Sequence, residues 1–338
     1  MARIQATMDD VKSRLSFSGA AGLGSFIARF GALFGLLILI VFLSISSKVF
    51  FTADNLSNIA RQATVNALLA AGMLLTIVTA GIDLSVGSIL AVSMCTLAIM
   101  VIKWNVNPFV AMFACILVGA FVGWVNGILL TKLHLPHPFI STLGTMNVAR
   151  GLALIITGAS PISGFDRAGA PQVLFLGAGS LGPIPAALFV IVIVYLLFQV
   201  LLKNSSLGRH IYAIGGNQSA ARLSGINVNR TLVIVYSLSG LMAGLAALML
   251  AGRTNSGFPT AGQGYELDAI AAVIIGGASF AGGSGTIGGT AIGVLLIAVL
   301  RNGLVLLNVP TEWQTVAIGL VIIGAVYVDV LRQRAGRK

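Results

Sequence analysis

Three acids stand at the openings of apolar runs, Asp83, Glu266 and Asp268. A carboxylate there can accept hydrogen bonds from the orphan N–H groups of a helix N-terminus, and inside a bilayer it can also serve as a proton site. The acids fall in two segments of one pattern, Gly81-Ile-Asp-Leu-Ser85 and Gly264-Tyr-Glu-Leu-Asp268: glycine, an apolar residue, an acid, leucine, then a short polar side chain. That pattern predicts an internal repeat. Other polar groups inside apolar runs include Asn66, Asn126, Thr142, Thr145, Asn147, Arg150, Asn302 and Gln314. Such groups are costly in lipid unless they face protein or a water-filled path, so Asp83, Ser85, Asn126, Thr142, Tyr265, Glu266 and Asp268 are candidates to line one, with helix-to-helix hydrogen bonding the competing reading. Trp124, Phe139 and Phe280 are flat aromatic surfaces near candidate polar positions.

A second group of residues lies in the longest polar connection, Lys203 to Arg230. Gly215-Gly216 precede Asn217, a good N-cap, and Gly225 suits the left-handed position after a helix end, so a two-turn helix is expected over 218–224. Ala220 and Ala221 would give it a small-residue face that a partner's groove could grip, with Arg222 beside them; an ordinary solvated loop is the competing reading. Gly282-Gly-Ser-Gly-Thr-Ile-Gly288 matches a dinucleotide fingerprint by spacing, but no βαβ unit can surround it, and it reads as a turn. No lysine follows a glycine, so the chain has no Walker A Gly-Lys-Ser/Thr. His134 and His137 are three apart, but Pro136 and Pro138 prevent a helix that would aim both at a metal. Cys95 and Cys115 sit in apolar runs with no ligand spacing and read as small buried hydrophobes. No catalytic set is recognisable, and neither a cofactor nor a metal is expected on this chain.

The elements that must position these residues follow from composition. Of 338 residues 57% are hydrophobic and 9% charged, too few charges to clothe a water-soluble surface. Apolar runs of about 20 residues recur from end to end, each long enough as a helix to cross a bilayer. Continuous apolarity without alternation excludes a barrel. The fold class is therefore all-α: a polytopic membrane protein with about ten transmembrane helices and a possible inverted repeat. The spans are expected over 30–50, 62–80, 84–102, 108–130, 139–157, 184–203, 231–252, 266–281, 287–306 and 313–330. The net charge of +11 sits in loops and tails and does not indicate nucleic acid. With the N-terminus inside, thirteen Lys and Arg residues fall on the cytoplasmic side and six on the other (Lys48, Arg61, Lys103, Arg167, Arg253, Arg301), so both termini are expected in the cytoplasm. The chain divides into an N-terminal segment 1–29, a transmembrane domain 30–330 containing the loop 203–230, and a tail 331–338.

Several longer segments carry a resemblance. His137-Pro-Phe-Ile-Ser-Thr-Leu-Gly-Thr-Met146, Thr157-Gly-Ala-Ser-Pro-Ile162, Tyr212-Ala-Ile-Gly-Gly-Asn217, Ala221-Arg-Leu-Ser-Gly-Ile-Asn-Val228 and Gly264-Tyr-Glu-Leu-Asp-Ala-Ile-Ala-Ala272 are similar to the ribose and galactoside permease family of ABC importers. So are Gly81-Ile-Asp-Leu-Ser-Val-Gly87 and Gly282-Gly-Ser-Gly-Thr286, and the match runs in family order from about residue 50 to residue 330. The first 29 residues lie outside it.

The resemblance implies a permease in the bacterial inner membrane that pairs with a second permease subunit, expected to be an identical copy. It implies docking on a cytoplasmic ABC ATPase that holds ATP and Mg, and delivery of a monosaccharide by a periplasmic sugar-binding protein. Gly215, Gly216, Asn217, Ala220, Ala221, Arg222 and Gly225 would form the coupling helix that enters the ATPase cleft. An ion-coupled secondary transporter using Asp83 or Glu266 as proton sites is the rival reading.

Overall fold

A computed structural model describes residues 31–133, 135 and 138–336, with the backbone alone given for 328 and 331–336. The N-terminal segment 1–29, His134, His137 and the last two residues of the tail lie outside the described residues.

Thirteen helices follow one another in the described chain. They are α1 (Gly31–Ser46), α2 (Ala53–Val78), α3 (Val86–Ala98), α4 (Pro108–Lys132), α5 (Pro138–Thr157), α6 (Pro171–Ala178) and α7 (Ala186–Asn204), followed by α8 (Ser206–Gly216), α9 (Gln218–Leu223), α10 (Val228–Thr254), α11 (Tyr265–Ile275), α12 (Ile287–Leu306) and α13 (Thr311–Gly336). Seven of them, α2, α3 with the π-helical turn Ile99–Lys103 that ends it, α4, α5, α7, α10 and α12, are long and apolar enough to cross a membrane. Two shorter apolar stretches, Gly31–Ser46 and Thr311–Tyr327, flank them. The chain is an all-α polytopic membrane protein.

Burial separates centre from rim. The apolar windows of α2, α3 and α10 are 83%, 78% and 67% buried, whereas those of α4, α5 and α7 are buried over less than a third of their length. A helix apolar on every side and buried on every side belongs in the middle of a bundle. Between lipid-facing helices no hydrophobic driving force operates, so close approach of backbones supplies the attraction instead. The α4–α10 crossing shows how: Gly119, Gly123 and Gly127, four residues apart on α4, lie on Gly240, Tyr236 and Val233 of α10 so closely that a methyl group at any of the three would overlap α10 backbone. Gly72 makes the same kind of contact between α2 and Ser239 of α10.

Three departures from the hydropathy reading concern the interruptions. First, α2 begins at Ala53, a full turn and more before the expected start, because Thr52 caps it by accepting from the Asn55 amide. Second, α11 ends at Ile275, short of the expected 281, and at 11 residues it is too short to span; Gly276 and Gly277 release the chain into a loop that closes only where the Thr286 hydroxyl caps α12. Third, Arg61 and Arg253, which fall outside the expected spans, lie within α2 and α10.

At one end of the bundle, α8 and α9 form a polar cap. Ser205, Asn217 and Asn227 accept from the amides of Gly208, Ala220 and Arg230 and so start α8, α9 and α10 in turn. Gly225 ends the α9 segment at φ +83°, as its type suggested. Ile214, Ala221, Val228 and Leu232 make a small core that holds this cap against the bundle. At the opposite end, two-stranded pairs β1 (Ile162–Ser163) with β4 (Ser256–Gly257) and β2 (Ser180–Leu181) with β3 (Ile184–Pro185) close the long connections, both antiparallel. Asn255, left-handed at φ +52°, donates from its side chain to Asp166, which holds that carboxyl below its usual range.

Candidate functional site

The break between α2 and α3 places Asp83. Val78 ends α2, Ala80 turns the chain at φ +60°, and residues 81–83 run on without helical bonds before α3 starts. Asp83 is wholly buried there with no cation beside it, and hydrogen bonds meet its charge or its proton instead. Its Oδ1 accepts from the Ser85 amide (3.0 Å) and hydroxyl, and its Oδ2 accepts from Ser239 of α10 at 2.8 Å. Asn126 of α4 donates to the Ser85 hydroxyl (2.8 Å), and Thr142 of α5 donates to the Ile82 carbonyl at 3.2 Å. Three helices, α4, α5 and α10, therefore converge on one broken segment. The expected path residues Asp83, Ser85, Asn126 and Thr142 come together as one cluster, and all four are closed off from the surface. Ser239 completes it and was missed: a serine in an apolar run carries too little signal to be singled out.

Glu266 and Tyr265 open α11, half-buried, after Gly264 has turned the chain at φ +83°. The Glu266 carboxylate accepts from the Gly264 amide at 3.3 Å. Gly87 of α3 lies against both this carboxylate and the Gly262 carbonyl, with no room for a methyl group between. The two like-patterned segments, 81–85 and 264–268, thus feed helices that pack side by side. Arg150 of α5 fastens the stretch just before the second segment by donating from Nη1 to the carbonyls of Pro259 (2.6 Å) and Ala261 (2.7 Å).

Asp268 stands apart from these groups. One turn into α11 it is 1% exposed and forms a two-pronged ion pair with Arg301 of α12, at 2.7 and 2.8 Å, with Asn66 of α2 as a further donor. Gln62, Arg253 and Tyr265 join them around a cavity of about 190 Å³. An arginine inside an apolar run was the available signal for this pair, but the partner 33 residues away could be found only in space.

The capped α8–α9 element is joined to the broken helices. The Gly215 Cα faces the Val78 carbonyl and the Gly283 amide, and the Gly283 amide in turn donates to the Val78 carbonyl at 2.9 Å. Tyr212 donates to the Gly285 carbonyl at 2.7 Å, and its burial pushes the phenol pKa up. A cavity of about 490 Å³ opens between this element and the bundle, lined by Gly81, Thr131, Asn217, Arg222 and Tyr236 among others. Among the described residues no group of three His, Cys, Asp or Glu side chains could hold a metal ion. Trp124, Phe139 and Phe280 are exposed, and Trp124 stacks on Phe121 at 5.9 Å.

A helical bundle with broken helices meeting on polar clusters, and no catalytic constellation, is the build of a membrane transport subunit. Residues 55–326 match the family described as branched-chain amino acid transport system / permease component, and the chain belongs to that family. It is 45% identical to the ribose import permease protein RbsC of Escherichia coli strain K12 over 302 residues, covering 89% of this chain and 94% of that protein. It is 44% identical over 318 residues to the RbsC of Bacillus subtilis strain 168, covering 94% and 96%. The D-allose transport system permease protein AlsC of Escherichia coli strain K12 is 41% identical over 323 residues, covering 95% and 97%. No solved structure matches the chain. The chain is a transmembrane permease subunit of an ABC importer.

Proposed function

We propose that this subunit passes a monosaccharide, or a related polyol, inward across the bacterial inner membrane, driven by ATP that a separate cytoplasmic ATPase binds with Mg. The family description names branched-chain amino acids, but relatives at 41–45% identity over nearly their whole length carry ribose and allose in their names, which supports a sugar cargo. The working assembly contains a second permease, expected to be another copy of this chain, and a periplasmic sugar-binding protein that holds most of the selectivity. Both termini lie in the cytoplasm, a reading that the Lys and Arg distribution favours, and about ten helices form the transmembrane domain 30–330. The half-helix α11 and the broken entry to α3 are the matched parts of an inverted repeat, supported by the shared pattern of 81–85 and 264–268.

The single observation that carries the mechanism is the seat of Gly215 against Val78 and Gly283. The α8–α9 element, in the connection 203–230, is the foothold on the ATPase: Gly216, Asn217, Ala220 and Arg222 present a capped helix to its cleft, whereas Ala221, expected on that face, is buried beneath it against Ile214, Val228 and Leu232, and Gly225 ends it. When the ATPase pair closes, the push on α9 passes through Gly215 to the end of α2 and to the glycine loop after α11, so both interrupted helices move together. Alternating access follows. The test is ATP-driven uptake of ribose-like and galactose-like sugars in vesicles reconstituted with the partner subunits. Replacing Gly216-Asn217 and Ala220, but not the buried Ala221, with bulky acids should abolish uptake while the complex still assembles; undiminished uptake defeats the coupling assignment.

A further inference from the structure

The buried clusters cannot touch a solute, since Asp83, Ser85, Asn126 and Asp268 are enclosed by protein. Polar groups that do reach the surface at membrane depth are elsewhere. Asn147, at the middle of α5, is exposed, and the hydrogen bond recorded for its amide is the local one to the Leu143 carbonyl, 2.9 Å. Gly144 and Gly151, a turn before and a turn after it, have nothing within 4 Å of where a Cβ would stand. Arg150 anchors the non-helical segment before α11 at this same depth, since both of its carbonyl partners, Pro259 and Ala261, belong to that segment. Gln263 follows, exposed, and Glu266 is half-buried beside it.

Lipid tolerates neither element of this surface. Irregular backbone at membrane depth occurs only where it is buried in protein or lines water, and an exposed amide in hydrocarbon forfeits its hydrogen bonds. We propose that Asn147, Arg150, Gln263 and Glu266 form the solute-facing wall of the pathway, with Gly144 and Gly151 keeping the space before it open. The wall offers amide donors and acceptors, a guanidinium and a carboxylate, the complement of a neutral polyhydroxylated molecule. This assignment rests on the sugar-importer reading above.

The test uses the full importer complex in vesicles. The native Cys95 and Cys115 are wholly buried, so labelling read on this subunit's own band reports the introduced cysteines alone. N147C and Q263C should react with a membrane-impermeant methanethiosulfonate at least roughly tenfold faster than L196C on the exposed face of α7, because only a thiol in water forms the reactive thiolate. G151W should fold, assemble and retain ATP hydrolysis, yet lose most sugar uptake by filling the open space. ATP-driven sugar uptake in a preparation where N147C and Q263C are as inert as L196C overturns the wall while leaving the importer reading intact. Failure of G151W to assemble would make this face a protein interface and overturn the wall as well. Absence of ATP-driven sugar uptake by the unmodified complex sinks the importer reading instead.

Discussion

Gly215 and the carbonyl of Val78 are packed with no room for a side chain between them, so the end of the polar cap and the end of a central membrane helix are one mechanical unit. Its neighbour Gly216 has nothing within 4 Å of its Cβ position. The pair gives an internal control: G215A must displace Val78 or Gly283, at about 1–3 kcal/mol of overpacking strain, whereas G216A should be silent. Uptake and ATP hydrolysis measured on both variants read the difference, and equal activity of the two removes Gly215 from the coupling route.

Asp268 and Arg301 are unequal partners, since the acid is 1% exposed and the arginine side chain 36%. Removing the arginine strands a buried charge, which costs on the order of 3 kcal/mol or more, while D268N leaves a cation that can still reach water. R301A should therefore lower the thermal unfolding midpoint in detergent more than D268N does. The reverse order would mean that Arg301, not Asp268, is the charge that cannot be left without its partner.

Asp83 accepts from Ser85 and Ser239 within a buried cluster. D83N keeps one acceptor, and the serine hydroxyls can turn to accept from its new amide, so stability should fall by about 1 kcal/mol; D83L leaves those hydroxyls unpaired and should cost several times more. Chemical-denaturation midpoints of the two variants check the ratio. A D83N protein that folds well yet transports nothing would point to a role for the carboxylate beyond architecture.

The α4–α10 crossing predicts a positional effect of adding one methyl group. G123A should destabilise by about 1–3 kcal/mol because its Cβ meets the Tyr236 carbonyl and Gly240, whereas G144A on α5 should change stability by less than about 0.5 kcal/mol. Midpoints that fall equally for both would show that contact with α10 does not set the effect.

By itself the sequence determined the solvent of the fold and its local punctuation. Apolarity over a bilayer's length admits helices and little else, because unpaired backbone groups cannot exist in lipid. Caps at Asn217 and Gly225 were legible for a similar reason: they act on amides and dihedrals a few residues away. Tertiary structure alone decided which polar residues are enclosed and which are open, because a side chain's cost in a membrane depends on what faces it. Asn126 and Asn147 are the same residue type in similar apolar runs, yet one donates to Ser85 in the sealed core and the other stands exposed on α5. The short α11, the Asp268–Arg301 pair and the meeting of Gly87 with Gly262 belong to the same class. Each depends on packing between segments far apart in the chain, where hydropathy windows and residue spacing carry no information about neighbours.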